Sequence, residues 1–182
     1  MSELKKALRK SIVASRRLME ENVRKNIDEK IYNNLAALPE MTNRSAYLVY
    51  ASSPDETDTR RLINALLAEG RTVAVPKCEG KEMRFLTIGS LSELRKSRFG
   101  VDEPANGREI TDFAGTVCIV PALRYDRNGF RLGWGGGFYD RFLAGYSGTA
   151  IGICYENDCG DIPAEPTDIP VGIVITENGR YR

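Results

Sequence analysis

The stretch RLGWGGGFYDR, Arg131 to Arg141, packs four glycines, a tryptophan, a tyrosine and three charges into eleven residues. Glycine permits the backbone angles of an amide nest and the close approach of phosphate oxygens. The residues that follow, FYDRFLAG, read as the start of a helix, whose N-terminus favours an anion. Asp140 beyond the glycines suits Mg²⁺, which takes one or two carboxylates together with phosphate oxygens; it also suits the acid that a helix dipole favours in its first turn. Arg131 and Arg141 are placed to neutralise phosphate or simply to flank the loop. No G-K-[ST] follows, so this is not a P-loop, and Phe138 stands where the dinucleotide fingerprint needs its last glycine. By residue chemistry alone, a phosphate cradle and a Gly-rich structural turn both stand.

Other chemistries are excluded more firmly. The 182 residues contain no histidine, which removes His-based nucleophilic triads and His-ligated zinc. The four cysteines show neither C-x-x-C spacing nor a disulfide framework, and Cys118 and Cys154 sit in apolar runs as reduced core thiols. A net charge of +1 argues against broad binding to nucleic acid or anionic membrane. No apolar run is long enough to span a bilayer, and the opening MSELKKALRK lacks the apolar core of a signal peptide. A cytoplasmic protein is expected. The length and a hydrophobic content of 42% suit one globular domain over residues 1–182.

The elements that must position these residues follow from periodicity. Apolar residues every fourth position from Leu4 to Leu35 predict one bent helix or two successive ones, ended by Pro39. Strands are expected at 46–50, 72–76, 83–88, 116–121, in TAIGICYE and in VGIVIT. A helix capped by Asp55 or Thr57 should run to Gly70, a short one should cover SLSELRKS, and Asn128-Gly129 marks a tight turn. Strands alternating with helices, and reading as continuous apolar runs, predict an α/β domain with a mostly parallel sheet covered on both faces. In such sheets ligands gather at the carboxyl ends of the strands.

The segment VPALRYDRNGFRLGWGGGFYDRFL resembles the signature V/M-P-G-L-x-F-D-x-x-G-x-R-L-G-x-G-x-G-Y-Y-D of the 5-formyltetrahydrofolate cyclo-ligase family. Further matches occur in the family's order: KKALRK, SSPDETDT, VPKCEGKEMRF, FGVDEP and IPAEPTDIPV. The resemblance implies a Rossmann-like three-layer α/β/α sandwich. It also implies ATP- and Mg²⁺-dependent closure of 5-formyltetrahydrofolate to 5,10-methenyltetrahydrofolate, by a monomer or weak homo-oligomer acting on small molecules, without nucleic acid or membrane. ATP would be held by Lys5, Lys6 and Arg9, and by the run Arg131, Leu132, Gly133, Trp134, Gly135, Gly136, Gly137, Phe138 and Tyr139. Lys5 and Arg9, four residues apart, share a helix face. Folate would meet Ala51, Glu56, Trp134, Gly135, Gly136, Gly137 and Phe138; on its residues alone Glu56 reads as an acid at a helix N-terminus. Mg²⁺ would lie on Asp140 and Asp168, and no catalytic base is implied. The alternatives are a non-catalytic nucleotide- or folate-binding protein, or an ATP-dependent enzyme of another N-formyl or pterin substrate. Four positions depart from the pattern or fall where it varies: Ala122 replaces a glycine, Trp134 fills a variable place, Phe138 replaces a tyrosine, and Gly172 replaces an acid common after DIPV.

Overall fold

A computed structural model describes residues 3–98 and 100–182; Met1 and Ser2 of the opening stretch and Phe99 of FGVDEP lie outside the described residues. The N-terminal periodicity resolves into two helices, α1 (Glu3–Leu18) and α2 (Glu21–Ala36). Then come β1 (Tyr47–Val49), α3 (Arg60–Ala68), the hairpin β2 (Val73–Glu79) and β3 (Glu82–Ile88), and the small pair β4 (Leu94–Lys96) and β5 (Asp102–Pro104). The chain continues through β6 (Val117–Pro121), the hairpin β7 (Arg124–Tyr125) and β8 (Arg131–Leu132), α4 (Phe138–Leu143), β9 (Thr149–Ile153), β10 (Ile173–Thr176) and β11 (Gly179–Arg180).

Seven strands form one sheet in the order β11-β10-β9-β6-β1-β2-β3. The five inner strands run parallel, and the edge strands β3 and β11 are antiparallel to their neighbours. The strands are buried on both faces, so their side chains alternate between two cores. Tyr47, Val49, Val117, Ile119, Ile151 and Ile153 face the core closed by Ile31 and Leu35 of α2 and by Leu62, Ile63 and Leu66 of α3. Leu48, Cys118, Val120 and Val174 face the other core, with Tyr125 and Leu143. That second layer is thin: a six-residue helix supplemented by stacked aromatics, among them Phe85–Phe142 and Phe113–Phe142 at centroid distances of 4.8 and 5.2 Å. The expected α/β architecture with a mostly parallel sheet is what forms.

Local expectations shift in three places. The third helix begins at Arg60, not after Asp55 or Thr57, because residues 53–56 close a turn of their own, Glu56 N–H donating to the Ser53 carbonyl at 3.1 Å. Its first amides are met by Asp58, whose carboxylate accepts from Arg60 N at 3.2 Å and Arg61 N at 3.3 Å. SLSELRKS makes only one 3₁₀ turn, Leu91–Glu93, before buried Leu94 draws the chain into β4. The strand expected to end at Pro76 runs on to Glu79, since β2 pairs with β1 only at Val73 and Ala74 and with β3 over its whole length. Beyond β1, the missing proline N–H interrupts no ladder on that side.

Helix α1 docks away from the sheet. Ile12 packs with Leu123 and Leu132 of the β7–β8 hairpin and with Ile162. Beside it Arg16, 4% exposed, donates from Nε to Asp158 Oδ2 at 2.8 Å, from Nη1 to the Asp55 carbonyl at 2.8 Å, and from Nη2 to the Leu123 carbonyl at 3.1 Å. Its guanidinium also lies 4.8 Å from the centre of the Tyr155 ring. Burial pushes the Asp158 carboxyl above its ordinary range, with Arg16 opposing the shift. Arg16→Ala therefore leaves a buried carboxylate without its counterion and two carbonyls without their donor. Stability in a urea titration should fall by about 3 kcal/mol or more, and Arg16→Lys, lacking the fork, should recover only part of it. A loss under about 1 kcal/mol would mean that the Ile12 cluster alone docks α1.

Candidate active site

In this sheet β1 leads to β2 on one side, whereas β6 leads to β9 on the other. The border between β1 and β6 is thus where the winding reverses, and open α/β sheets bind ligands at the carboxyl ends beside such a border. A cleft of about 1210 Å³ opens there, lined by Tyr50 and Ala51 after β1, Pro121 at the end of β6, and Pro76 and Cys78 of β2. Its volume exceeds the roughly 300–1,000 Å³ usual for one small-molecule pocket, which leaves room for two substrates. Strand β8, Gly133–Gly137, α4, the N-terminal half of α1, the strap 165–169, residues 100–103 and Ser53, Glu56 and Met83 line the rest of it.

Cations and carboxylates interleave across this cleft. Lys5, nearly buried on α1, donates from Nζ to Asp168 Oδ2 at 3.0 Å and pairs with Glu165 Oε1 at 3.3 Å. Arg9, one helical turn on, donates from Nε to the Gly133 carbonyl at 2.7 Å and so ties α1 to the glycine loop. Burial lowers the Arg9 pKa, opposed by the charges of Glu165 and Asp168. Buried Arg131 donates to Asp140 Oδ1 at 2.6 Å and to the Ile169 carbonyl at 2.6 Å. The Asp168 carboxyl is raised by burial, but the Glu165 N–H, Lys5 and Arg131 outweigh burial and hold it below its ordinary value. The backbone of the strap closes the cluster, Ile169 N–H donating to Asp140 Oδ1 at 3.2 Å and Glu165 N–H to Asp168 Oδ2 at 2.8 Å.

The loop itself uses glycine at two of its four positions for backbone angle: Gly135 has φ +99° and Gly137 φ +65°. Gly137 is the N-cap of α4, but that helix spans only six residues, so its dipole adds less than a full helix would. Arg141 pins the far side, donating to the Gly136 carbonyl at 3.1 Å and to the Lys81 carbonyl at 2.9 Å. Its guanidinium also lies 5.0 Å from the centre of the Phe138 ring. The hydroxyl that Phe138 lacks is present next door: Tyr139 lines the cleft with a buried hydroxyl that has no hydrogen-bond partner among the described residues. Burial, reinforced by neighbouring Cys118 and Glu56, raises the Tyr139 phenol well above its usual range, so it stays a donor.

Glu56 is not an acid of a helix N-terminus. It lies in the loop before α3, buried, accepting from Trp134 Nε1 at 3.0 Å and from Ser53 N–H at 2.8 Å. Of the residues singled out in the sequence, the cleft gathers Lys5, Arg9, Ala51, Glu56, Asp140, Asp168 and the whole run 131–139. Lys6 is exposed on α1 and does not line it, since the neighbour of an inward helical residue is turned away. Ala122 and exposed Gly172 also lie off its wall, so those two departures leave it unchanged. Glu165 went unnoticed, although its signal was present: a carboxylate three residues before Asp168 in the same proline-bounded segment. Cys78, on the opposite wall, is pushed up to about 11 by burial and by the Glu103 carboxylate, which keeps it an unreactive thiol.

The profile of the 5-formyltetrahydrofolate cyclo-ligase family matches residues 1–177. The chain belongs to that family. It is 30% identical to the 5-formyltetrahydrofolate cyclo-ligase of Escherichia coli over 88% of this chain and 93% of that one. It is 28% identical to the mitochondrial 5-formyltetrahydrofolate cyclo-ligase of Arabidopsis thaliana over 96% of this chain and 74% of that one. Its structure resembles the NMR structure of Aquifex aeolicus 5,10-methenyltetrahydrofolate synthetase with a TM-score of 0.87 and 32% identity, over 98% of this chain and 92% of that one.

Within this cyclo-ligase cleft Trp134 is the protein's single tryptophan, 49% exposed and bonded to Glu56. Its fluorescence, excited selectively, should therefore change saturably when a folate is titrated in. A Glu56→Gln variant should weaken the midpoint by about tenfold, because a charged acceptor is lost from a buried site. An unresponsive signal at saturating folate would place the pterin away from Trp134.

Proposed function

We propose that this chain converts 5-formyltetrahydrofolate to 5,10-methenyltetrahydrofolate, with ATP cleaved to ADP and phosphate. The observation that carries the reading is the single cleft holding Lys5, Arg9, Arg131, Asp140 and Asp168 together with the glycine loop and the Glu56–Trp134 pair. A formamide oxygen is a poor leaving group. Transfer of the γ-phosphoryl group onto it releases ADP and makes the carbon electrophilic. N10 of the same folate then attacks that carbon, loses its proton, and phosphate departs with the former formyl oxygen. Phosphoryl transfer asks chiefly for positioning and charge neutralisation, and the ring closure asks for a folate held bent. A site of Lys, Arg, carboxylates and backbone amides, without histidine, is adequate to both.

In this reading Lys5, Arg9 and Arg131 neutralise the phosphates, Gly133–Gly137 lets them approach the backbone, and Tyr139 offers its unpartnered hydroxyl. Glu56 accepts from the amino-pyrimidine edge of the pterin. Among the described residues no cluster of three or more acidic or thiol side chains would hold a metal by itself. The donor set fits Mg²⁺ bound jointly with phosphate: both hydrogen bonds of Asp140 fall on Oδ1 and both of Asp168 on Oδ2, so each carboxylate keeps a second oxygen. The metal would supply charge neutralisation on the transferring phosphoryl group. A cytoplasmic monomer or weak homo-oligomer acting on small molecules completes the proposal. No helix among the described residues is long and apolar enough to cross a membrane.

The test is direct: incubated with 5-formyltetrahydrofolate, ATP and Mg²⁺, the protein should generate the near-ultraviolet band of the methenyl product, and excess EDTA should abolish it. Asp140→Asn keeps an oxygen to accept from Arg131 and Ile169, so the fold is spared. Its half-saturating Mg²⁺ should rise by roughly tenfold or more; an unchanged requirement would leave Asp140 only as the acceptor for Arg131 and the Ile169 N–H.

Gly133 gives the cleanest test of the loop. Unlike Gly135 and Gly137 it has no positive φ, and a Cβ added there meets nothing within 4 Å. Gly133→Ala should hold the melting temperature within about 2 °C, less than a 1 kcal/mol change would shift it, yet weaken ATP binding by calorimetry. Parent-like affinity would move the phosphates off Gly133.

A further inference from the structure

The charges where α1, Arg131, α4 and the strap meet in the cleft are paired with one another. Lys5 is held between Asp168 at 3.0 Å and Glu165 at 3.3 Å, Arg131 is on Asp140 at 2.6 Å, and the charges of Glu165 and Asp168 both act on Arg9. Three cations thus face three carboxylates, and the groups suited to phosphate are engaged by the groups suited to metal. We propose that Glu165 is a positioning residue that, with Asp168, makes this cleft select metal-complexed over metal-free nucleoside triphosphate. The inference rests on the nucleotide reading above and adds to it a residue and a basis for discrimination.

The selection follows from exchange of ion pairs. A metal-free triphosphate entering the cleft meets Lys5 already shared by two carboxylates, and its own negative charge is brought against theirs. When metal arrives with the nucleotide, Asp168 gains a cation other than Lys5, and the Lys5 ammonium is released toward phosphate. Glu165 differs from Asp168 in exposure: its side chain is 47% exposed against 15%. It can turn to water once Lys5 has phosphate, whereas Asp168 remains in the cleft. Until then it keeps the Lys5 ammonium at the cleft wall. Metal and nucleotide binding are therefore coupled, and reciprocally so.

The experiment measures ATP affinity by calorimetry, without folate, once with Mg²⁺ and once in EDTA. It uses the intact protein and the variants Glu165→Gln and Glu165→Lys, with melting curves to confirm that each is folded. The parent should bind Mg-ATP more tightly than ATP in EDTA. Glu165→Gln should tighten metal-free binding by about threefold, the scale of a half-exposed ion pair, while Mg-ATP affinity moves less. Glu165→Lys should narrow the ratio further, and added salt should narrow it in the parent by screening. A ratio that stays constant across both folded variants overturns the role of Glu165 and leaves the nucleotide site standing. A parent that binds ATP in neither condition overturns the nucleotide reading itself.

Discussion

The site depends on a guanidinium buried where no apolar contact would serve. Helix α1 carries two of the cations that face the cleft, yet only Lys5, Ile12 and Arg16 on it are buried, and the apolar cluster it joins is small. Arg16 anchors it, reaching Asp158, the Asp55 carbonyl and the Leu123 carbonyl together, while Lys5 and Arg9 tie its N-terminal half to Asp168 and the glycine loop. The contacts of Arg16 lie on the turn after β9, the loop after β1 and the chain beyond β6. One side chain thereby ties α1 to the turn after β9 and to the segments after β1 and β6, which reach the cleft at Ser53, Glu56 and Pro121. Arginine suits this place because its donors are planar and fixed, and because the charge stays on when buried.

The glycine loop is held by the same logic at smaller scale. Arg9 takes the Gly133 carbonyl from one side and Arg141 takes the Gly136 carbonyl from the other. Behind it, Asp126 Oδ1 accepts from Asn128 N–H at 2.8 Å and Phe130 N–H at 2.9 Å, which fixes the turn that delivers Arg131. Two of the loop's carbonyls are thereby occupied by guanidinium groups that themselves line the cleft. The arrangement needs no long helix behind it, and α4 is indeed short.

Much of this was legible in the residues, and the unread parts share a cause. The inner strands announced themselves as continuous apolar runs because both their faces are buried, and the N-terminal stripe announced its helices by period. The peripheral strands of two or three residues, β4, β5, β7, β8 and β11, carry too few positions for any period to show, whereas the equally short β1 is extended by buried Ala46 and Tyr50 into a legible apolar run. The ligand loop was visible because glycines beside a tryptophan and an aspartate are rare as composition. Glu165 and Arg16 were not, since a charged residue in a strap or on a polar helix looks solvated until its partner is known, and each partner lies far along the chain.

That remoteness has a consequence in time. Arg16 and Asp158 are 142 positions apart, and Lys5 and Asp168 are 163 apart. As the chain emerges during synthesis, α1 precedes both of these partners by that distance. The helix can meet Leu123, Leu132 and Gly133 earlier, but its ion pairs with Asp158 and Asp168 close later. A nascent chain still lacking Asp168 has strands to pair but not the strap wall of its cleft. Contacts of such long range make assembly slow, and the cleft is complete only once segments as distant as those of Lys5 and Asp168 have met.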